Sequence, residues 1–150
     1  DFESPIVSDS APLHDLVGTL LDRPGERVHV LRDPTRGGVA SALNEIAMTS
    51  RVGMLLDEPA LPIPAPVRAA CEFLGLDPLY VANEGKLVAI VPPEDADALL
   101  AVMRAHPQGR DAAIVGEVIA DPHHFVQMDT SFGGRRVVDW LTGEQLPRIC

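Results

Sequence analysis

The chain reads as an α/β domain (α+β in its later half), with a mixed β-sheet covered by helices. Three observations carry that reading. Apolar residues at helical spacing alternate with short apolar runs through the first two thirds of the sequence, whereas the last strands follow one another closely. Its 150 residues amount to one domain with room for a core. Finally, 46% hydrophobic and 23% charged residues is an ordinary globular balance, which sets aside disordered and fibrous classes.

Taken in order, residues 1–10 are a lead-in. Leu13, Leu16, Val17, Leu20 and Leu21 share one face of a helix over 12–21, which Asp22-Arg23-Pro24-Gly25 ends. Residues 28–31 form a short strand, and 40–48 a helix with Leu43, Ile46 and Ala47 on one face. Residues 52–56 are a second strand, stopped by Asp57-Glu58-Pro59. Pro62, Pro64 and Pro66 lead to a helix over 67–74, with Gly75 as its C′ residue. The run 86–91 is apolar enough to predict a central strand buried on both faces. A helix over 96–104 and a strand over 112–119 follow. Residues 125–128 and 136–138 make a hairpin around Gly133-Gly134. Residues 144–150 lack periodicity and read as a mobile tail.

Charge and cysteine content narrow the function. Twelve Lys+Arg against 22 Asp+Glu leave a net charge of −10, which argues against nucleic-acid binding. No apolar run approaches the roughly 20 residues of a membrane span, so no membrane partner is expected. The first residues carry no signal-peptide pattern and no initiator Met, as expected of a chain with further residues upstream. Cys71 and Cys150 make no disulfide framework, and a reducing cytoplasm is the expected compartment.

Three motifs could carry chemistry. Asp33-Pro34-Thr35-Arg36-Gly37-Gly38 joins a strand to a helix. Asp33 or Thr35 can cap that helix, and Pro34 suits its first turn. Gly37 and Gly38 let backbone N–H groups approach an anion, and Arg36 adds a fork of donors, so the segment is a candidate phosphate site. The same pattern also serves as a plain strand–helix turn. Asn83-Glu84-Gly85-Lys86 places an amide, a carboxylate and the only lysine before a strand, where catalytic groups often sit. Read without context it is a polar turn. At the terminus, the Cys150 thiol lies beside its own carboxylate, which disfavours the thiolate. A prenylation box would place that Cys four from the end. Cys71 reads as a core thiol, His123-His124 as a surface turn and Gly133-Gly134-Arg135-Arg136 as a hairpin turn.

Together these pieces resemble the HypE family of hydrogenase maturation proteins, the carbamoyl dehydratases. Ser8-Asp9-Ser10-Ala11-Pro12-Leu13, the Asp33–Gly38 string continuing into Val39-Ala40, and Leu43-Asn44-Glu45-Ile46-Ala47 match its pattern. So do Cys71-Glu72-Phe73-Leu74-Gly75-Leu76-Asp77-Pro78-Leu79, Ala82-Asn83-Glu84-Gly85-Lys86-Leu87 and Leu146-Pro147-Arg148-Ile149-Cys150. The Asp33–Gly38 string also occurs in the wider AIR synthase-related (PurM-like) superfamily, which includes small-metabolite kinases and synthetases. The Pro-Arg-Ile-Cys end is more specific.

The resemblance implies that residues 1–150 are the C-terminal domain of a two-domain protein. A missing N-terminal domain would form the homodimer and supply most of the ATP and Mg²⁺ site, leaving no metal ligands in this half and the isolated half inactive. It also implies the chemistry. The carbamoyltransferase HypF loads a carbamoyl group onto Cys150, ATP-dependent dehydration converts it to a thiocyanate, and the cyano group passes to iron held by HypC–HypD. Cys150 would be the carrier nucleophile and Glu84 the general base. Asn83 would orient the thiocarboxamide, and Lys86 would pair with Glu84 or with phosphate. Asp33, Thr35, Arg36, Gly37 and Gly38 would face the nucleotide. The alternatives are a kinase or synthetase of the same superfamily, which does not require the terminal cysteine, and a non-catalytic docking module.

Overall fold

In a computed structural model, the structure describes residues 6–22 and 28–141. The elements are α1 (His14–Leu21), β1 (Val30–Arg32), α2 (Gly38–Ser50), β2 (Gly53–Asp57), α3 (Ala65–Leu74), β3 (Val88–Ile90), α4 (Pro93–Ala105), β4 (Gly116–Ile119), β5 (Val126–Asp129) and β6 (Arg135–Val137). Short 3₁₀ turns lie at Glu58–Ala60, Pro78–Tyr80 and Pro107–Gly109. Every helix and strand expected from the sequence is present, with shifted ends. The largest shift is in β4, which begins at Gly116 rather than at 112; α4 begins early, at Pro93, because a proline without an N–H fits a first helical position.

The main sheet has the order β4-β2-β5-β6 and is mixed, as expected. β2 runs antiparallel to β4 and parallel to β5, and β5 and β6 form the hairpin. Alternation along the two central strands points Met54, Leu56, Val126 and Met128 to one side, where they pack with Ala40, Leu43 and Ala47 of α2. All seven are at most 5% exposed, which makes this layer the core. α1 and α4 pack together separately, burying Leu16, Leu20 and Leu99.

The strand expected over 86–91 is not central. Only Val88–Ile90 is extended, and it pairs with β1 in a second, two-stranded sheet. Its residues are half-buried, with Val88 and Ile90 resting against the edge of the core. An apolar run of this length does not say whether both faces are covered by helices or one face merely abuts the main layer. Here Pro92 also ends it early. The sheet's two central strands are β2 and β5.

Buried polar groups tie the layers together. Asn44, 6% exposed, donates from Nδ2 to the Ala40 and Val138 carbonyls at 2.9 Å each. Val138 in turn donates its N–H to Val126. These bonds seat the segment after β6 on α2 and so fix where Trp140 and Leu141 emerge. Arg136 reaches Asp77 at 2.6 Å, and Asp77 also accepts from the Leu79 N–H, so β6 is bound to the 3₁₀ turn before β3. Arg135 forms two bonds to Asp129 across the hairpin.

Glu58 accepts bonds from the backbone N–H and hydroxyl of Ser131, and these hold its carboxyl below the usual carboxylate range. A depressed folded-state value contributes stability above the unfolded value, and that contribution is lost as pH falls through the folded one. Glu58→Gln should therefore lower Tm near neutral pH, with the gap to the unmodified protein closing in acid. Thermal melts across a pH series measure it. Gly38 has φ +61°, and a Cβ there would run into the Leu79 and Val81 carbonyl oxygens. Gly38→Ala should destabilise by about 2–4 kcal/mol in urea unfolding.

Candidate functional site

Register brings the two central motifs together. In the antiparallel β1–β3 pair, Arg32 lies opposite Val88. The chain therefore leaves β1 into Asp33 at the same end at which it enters β3 from Lys86 and Leu87. The Asn83 N–H donates to the Pro34 carbonyl at 3.0 Å, closing the contact between the two loops. Pro34 itself is fully buried.

The glycines act differently from expectation. Gly37, at φ +72°, is the N-cap of α2, and neither Asp33 nor Thr35 caps it with a side chain. The helix starts later than the capping argument assumed, because its N-cap Gly37 and its first residue Gly38 both take left-handed conformations. The Gly38 N–H donates to the Thr35 carbonyl, so it is engaged within the turn. The absence of a side chain at Gly38 lets the start of α2 press directly on the backbone of residues 79–81.

Beside this turn lies a cleft of about 250 Å³, lined by Arg32, Asp33, Thr35, Arg36, Ser41, Ala42, Glu45 and Trp140. Arg32 is paired with Glu45 at 2.6 Å. Hydroxyl and guanidinium donors sit at the N-terminal end of a 13-residue helix, next to the indole of Trp140. That donor set suits a phosphate-bearing ligand with a flat ring, while the Asp33 and Glu45 carboxylates lining the same cleft offset the charge of its two arginines. Among the described residues, no three His, Cys, Asp or Glu side chains converge as metal ligands.

At the second motif, Asn83 is half-buried and donates from Nδ2 to the Val81 carbonyl. Glu84 is exposed. Lys86 does not pair with Glu84: its Nζ lies 2.8 Å from Asp9 Oδ2. The lead-in explains this. Its backbone crosses the turn at Gly85, where a Cβ would run into the Asp9 carbonyl. Asp9 was not among the residues singled out from the sequence. The only signal for it there was its place in the Ser8–Leu13 string, and a contact 77 residues apart leaves no trace in local spacing.

Cys150 lies outside the described residues, as does the whole of 142–150. The last described residue, Leu141, approaches Gly37: a Cβ on that glycine would sit 3.9 Å from the Leu141 Cβ. The Cys71 thiol is buried, and burial together with nearby Asp77 pushes it up, as expected of an inert core thiol. His123 and His124 sit in a turn in which Asp121 accepts the His123 and Phe125 N–H groups. No helix among the described residues is long and apolar enough to cross a membrane.

Comparison with known proteins fits this geometry. The profile of the AIR synthase related protein C-terminal domain matches residues 3–129. Carbamoyl dehydratase HypE of Bradyrhizobium diazoefficiens is 66% identical over 149 residues, 99% of this chain and 43% of the relative. Its counterpart in Cupriavidus necator is 68% identical over 151 residues, 100% of this chain and 42% of the relative. The chain thus spans less than half the length of these relatives. A crystal structure of the hydrogenase maturation protein HypE superposes with a TM-score of 0.91 at 49% identity, covering 100% of this chain and 48% of that one. HypE in complex with ATP gives 0.90 at 48% identity, with 100% and 46% covered. A HypE–HypF complex gives 0.87 at 45% identity, with 94% and 45% covered. From the joined loops to the profile match, the chain belongs to the AIR synthase related protein family as its C-terminal domain, and within it matches the HypE hydrogenase maturation proteins.

Proposed function

We propose that this chain is the C-terminal domain of an ATP-dependent carbamoyl dehydratase that converts a carbamoyl group on the Cys150 thiol into a thiocyanate, the donor of a cyanide ligand to hydrogenase iron. The observation that supports this best is the meeting of three distant segments. The turn at residues 83–86 touches both the lead-in at Asp9 and the turn at residues 33–38, and Leu141, the last described residue before Cys150, lies beside Gly37. Residues 142–150 extend at most roughly 30 Å. That reach allows one thiol to visit both this site and a partner, as a carrier must.

The division of labour follows from side-chain chemistry. ATP, when bound, supplies the phosphoryl group that makes the carbonyl oxygen a leaving group. Thr35 and Arg36 hold phosphate oxygens, and Trp140 offers a flat apolar face. Phosphorylation of that oxygen releases ADP and one N–H proton to water; Glu84 then accepts the remaining N–H proton of the sulfur-bound group as the C–O bond breaks, leaving S–C≡N, phosphate and a protonated carboxyl. Asn83 orients the group undergoing dehydration. A further N-terminal domain completes the ATP site, holds Mg²⁺ and forms the homodimer. The described residues here do not form a metal ligand set.

The partners follow from the same carrier role. HypF loads the thiol, a role supported by the solved HypE–HypF complex. HypC–HypD receives the cyano group. The compartment proposed is the cytoplasm.

Two variants of the intact protein test this reading. Glu84→Gln should still accept the carbamoyl group on Cys150 but stop there, giving the carbamoyl mass in intact-protein mass spectrometry. Conversion to the thiocyanate mass at the unmodified rate would remove Glu84 as the base. Arg36→Ala should lower kcat/KM for ATP about tenfold or more, the effect of losing a charged donor, while leaving the fold unchanged by circular dichroism. Unaltered ATP kinetics would move the nucleotide away from residues 33–38.

A further inference from the structure

The 83–86 turn carries opposite charges two residues apart, Glu84 and Lys86, yet the lysine turns away from the glutamate. Its ammonium lies 2.8 Å from the Asp9 carboxylate, with the two side chains 44% and 38% exposed. Among the described residues no hydrogen bond or ion pair engages Glu84. Asp9 is placed there by backbone packing as well as charge, because its carbonyl lies where a Gly85 side chain would be.

A carboxylate that must take a proton from substrate is weakened by an adjacent ammonium, which stabilises its charged form. Lys86 lies two residues from Glu84 on the same turn, so a second carboxylate that occupies it protects the first. Building on the reading of Glu84 as general base, we propose that Asp9 is a positioning residue for the dehydration step, holding the Lys86 ammonium away so that the Glu84 carboxylate stays open to substrate.

This differs from a purely structural role. An exposed ion pair contributes little stability. If charge is what matters, removing the lysine repairs the loss of the aspartate; if Asp9 only anchors the lead-in, it does not.

The test uses the intact protein with Cys150 loaded with carbamoyl, following conversion to the thiocyanate mass. Asp9→Asn should load normally but convert about tenfold more slowly. Asp9→Glu should restore conversion to within about twofold, and so should Asp9→Asn combined with Lys86→Met. Normal conversion by Asp9→Asn overturns the proposal, as does a double variant as slow as the single one. Glu84→Gln run in parallel separates the two levels. If it converts normally, Glu84 is not the base and the role of Asp9 falls with it; if it is blocked while Asp9→Asn converts normally, only the role of Asp9 is overturned.

Discussion

The site depends on one steric constraint, the contact between Gly38 and the backbone of residues 79–81. With no side chain in the way, the first turn of α2 lies directly on the segment that leads into β3. Pro34, buried beside it, offers its carbonyl to the Asn83 N–H. These are backbone contacts in a packed interior, and a packed interior has no slack to absorb an added methyl. The short β1–β3 ladder sets the register, and the glycine sets the distance. Together they hold the 33–38 and 83–86 turns side by side.

Arginine does much of the long-range tying, in a chain with only 12 basic residues. Arg136 binds β6 to the 3₁₀ turn at Pro78–Tyr80, and Arg32 bridges to Glu45 of α2 at the mouth of the cleft. The single lysine is held by Asp9. Exposed pairs of this kind contribute little to stability individually. Their larger effect is on which charge faces which: around the 83–86 turn the Lys86 ammonium faces Asp9 rather than Glu84.

The cleft of about 250 Å³ lies beside the 33–38 turn, and the chain covers 43% of the length of a HypE relative. Asn44 donates to the Val138 carbonyl and Val138 donates its N–H to Val126, which seats Leu141, the last described residue, next to Gly37.

The sequence by itself determined the element order, the mixed α/β class and the motifs, because these rest on local rules. Helical and strand periodicity located the elements, and Gly133-Gly134 marked the hairpin. The capping expected from Asp33 or Thr35 failed because a local rule could not register that Gly37 and Gly38 both take left-handed conformations. The place of the strand at Val88–Ile90 was equally beyond it, since an apolar run says that a strand is covered but not by what. Only the tertiary structure decided that Lys86 binds Asp9 and that the two turns meet. Both outcomes join residues far apart in the chain, and long-range pairing is set by how the layers pack, which no local spacing encodes.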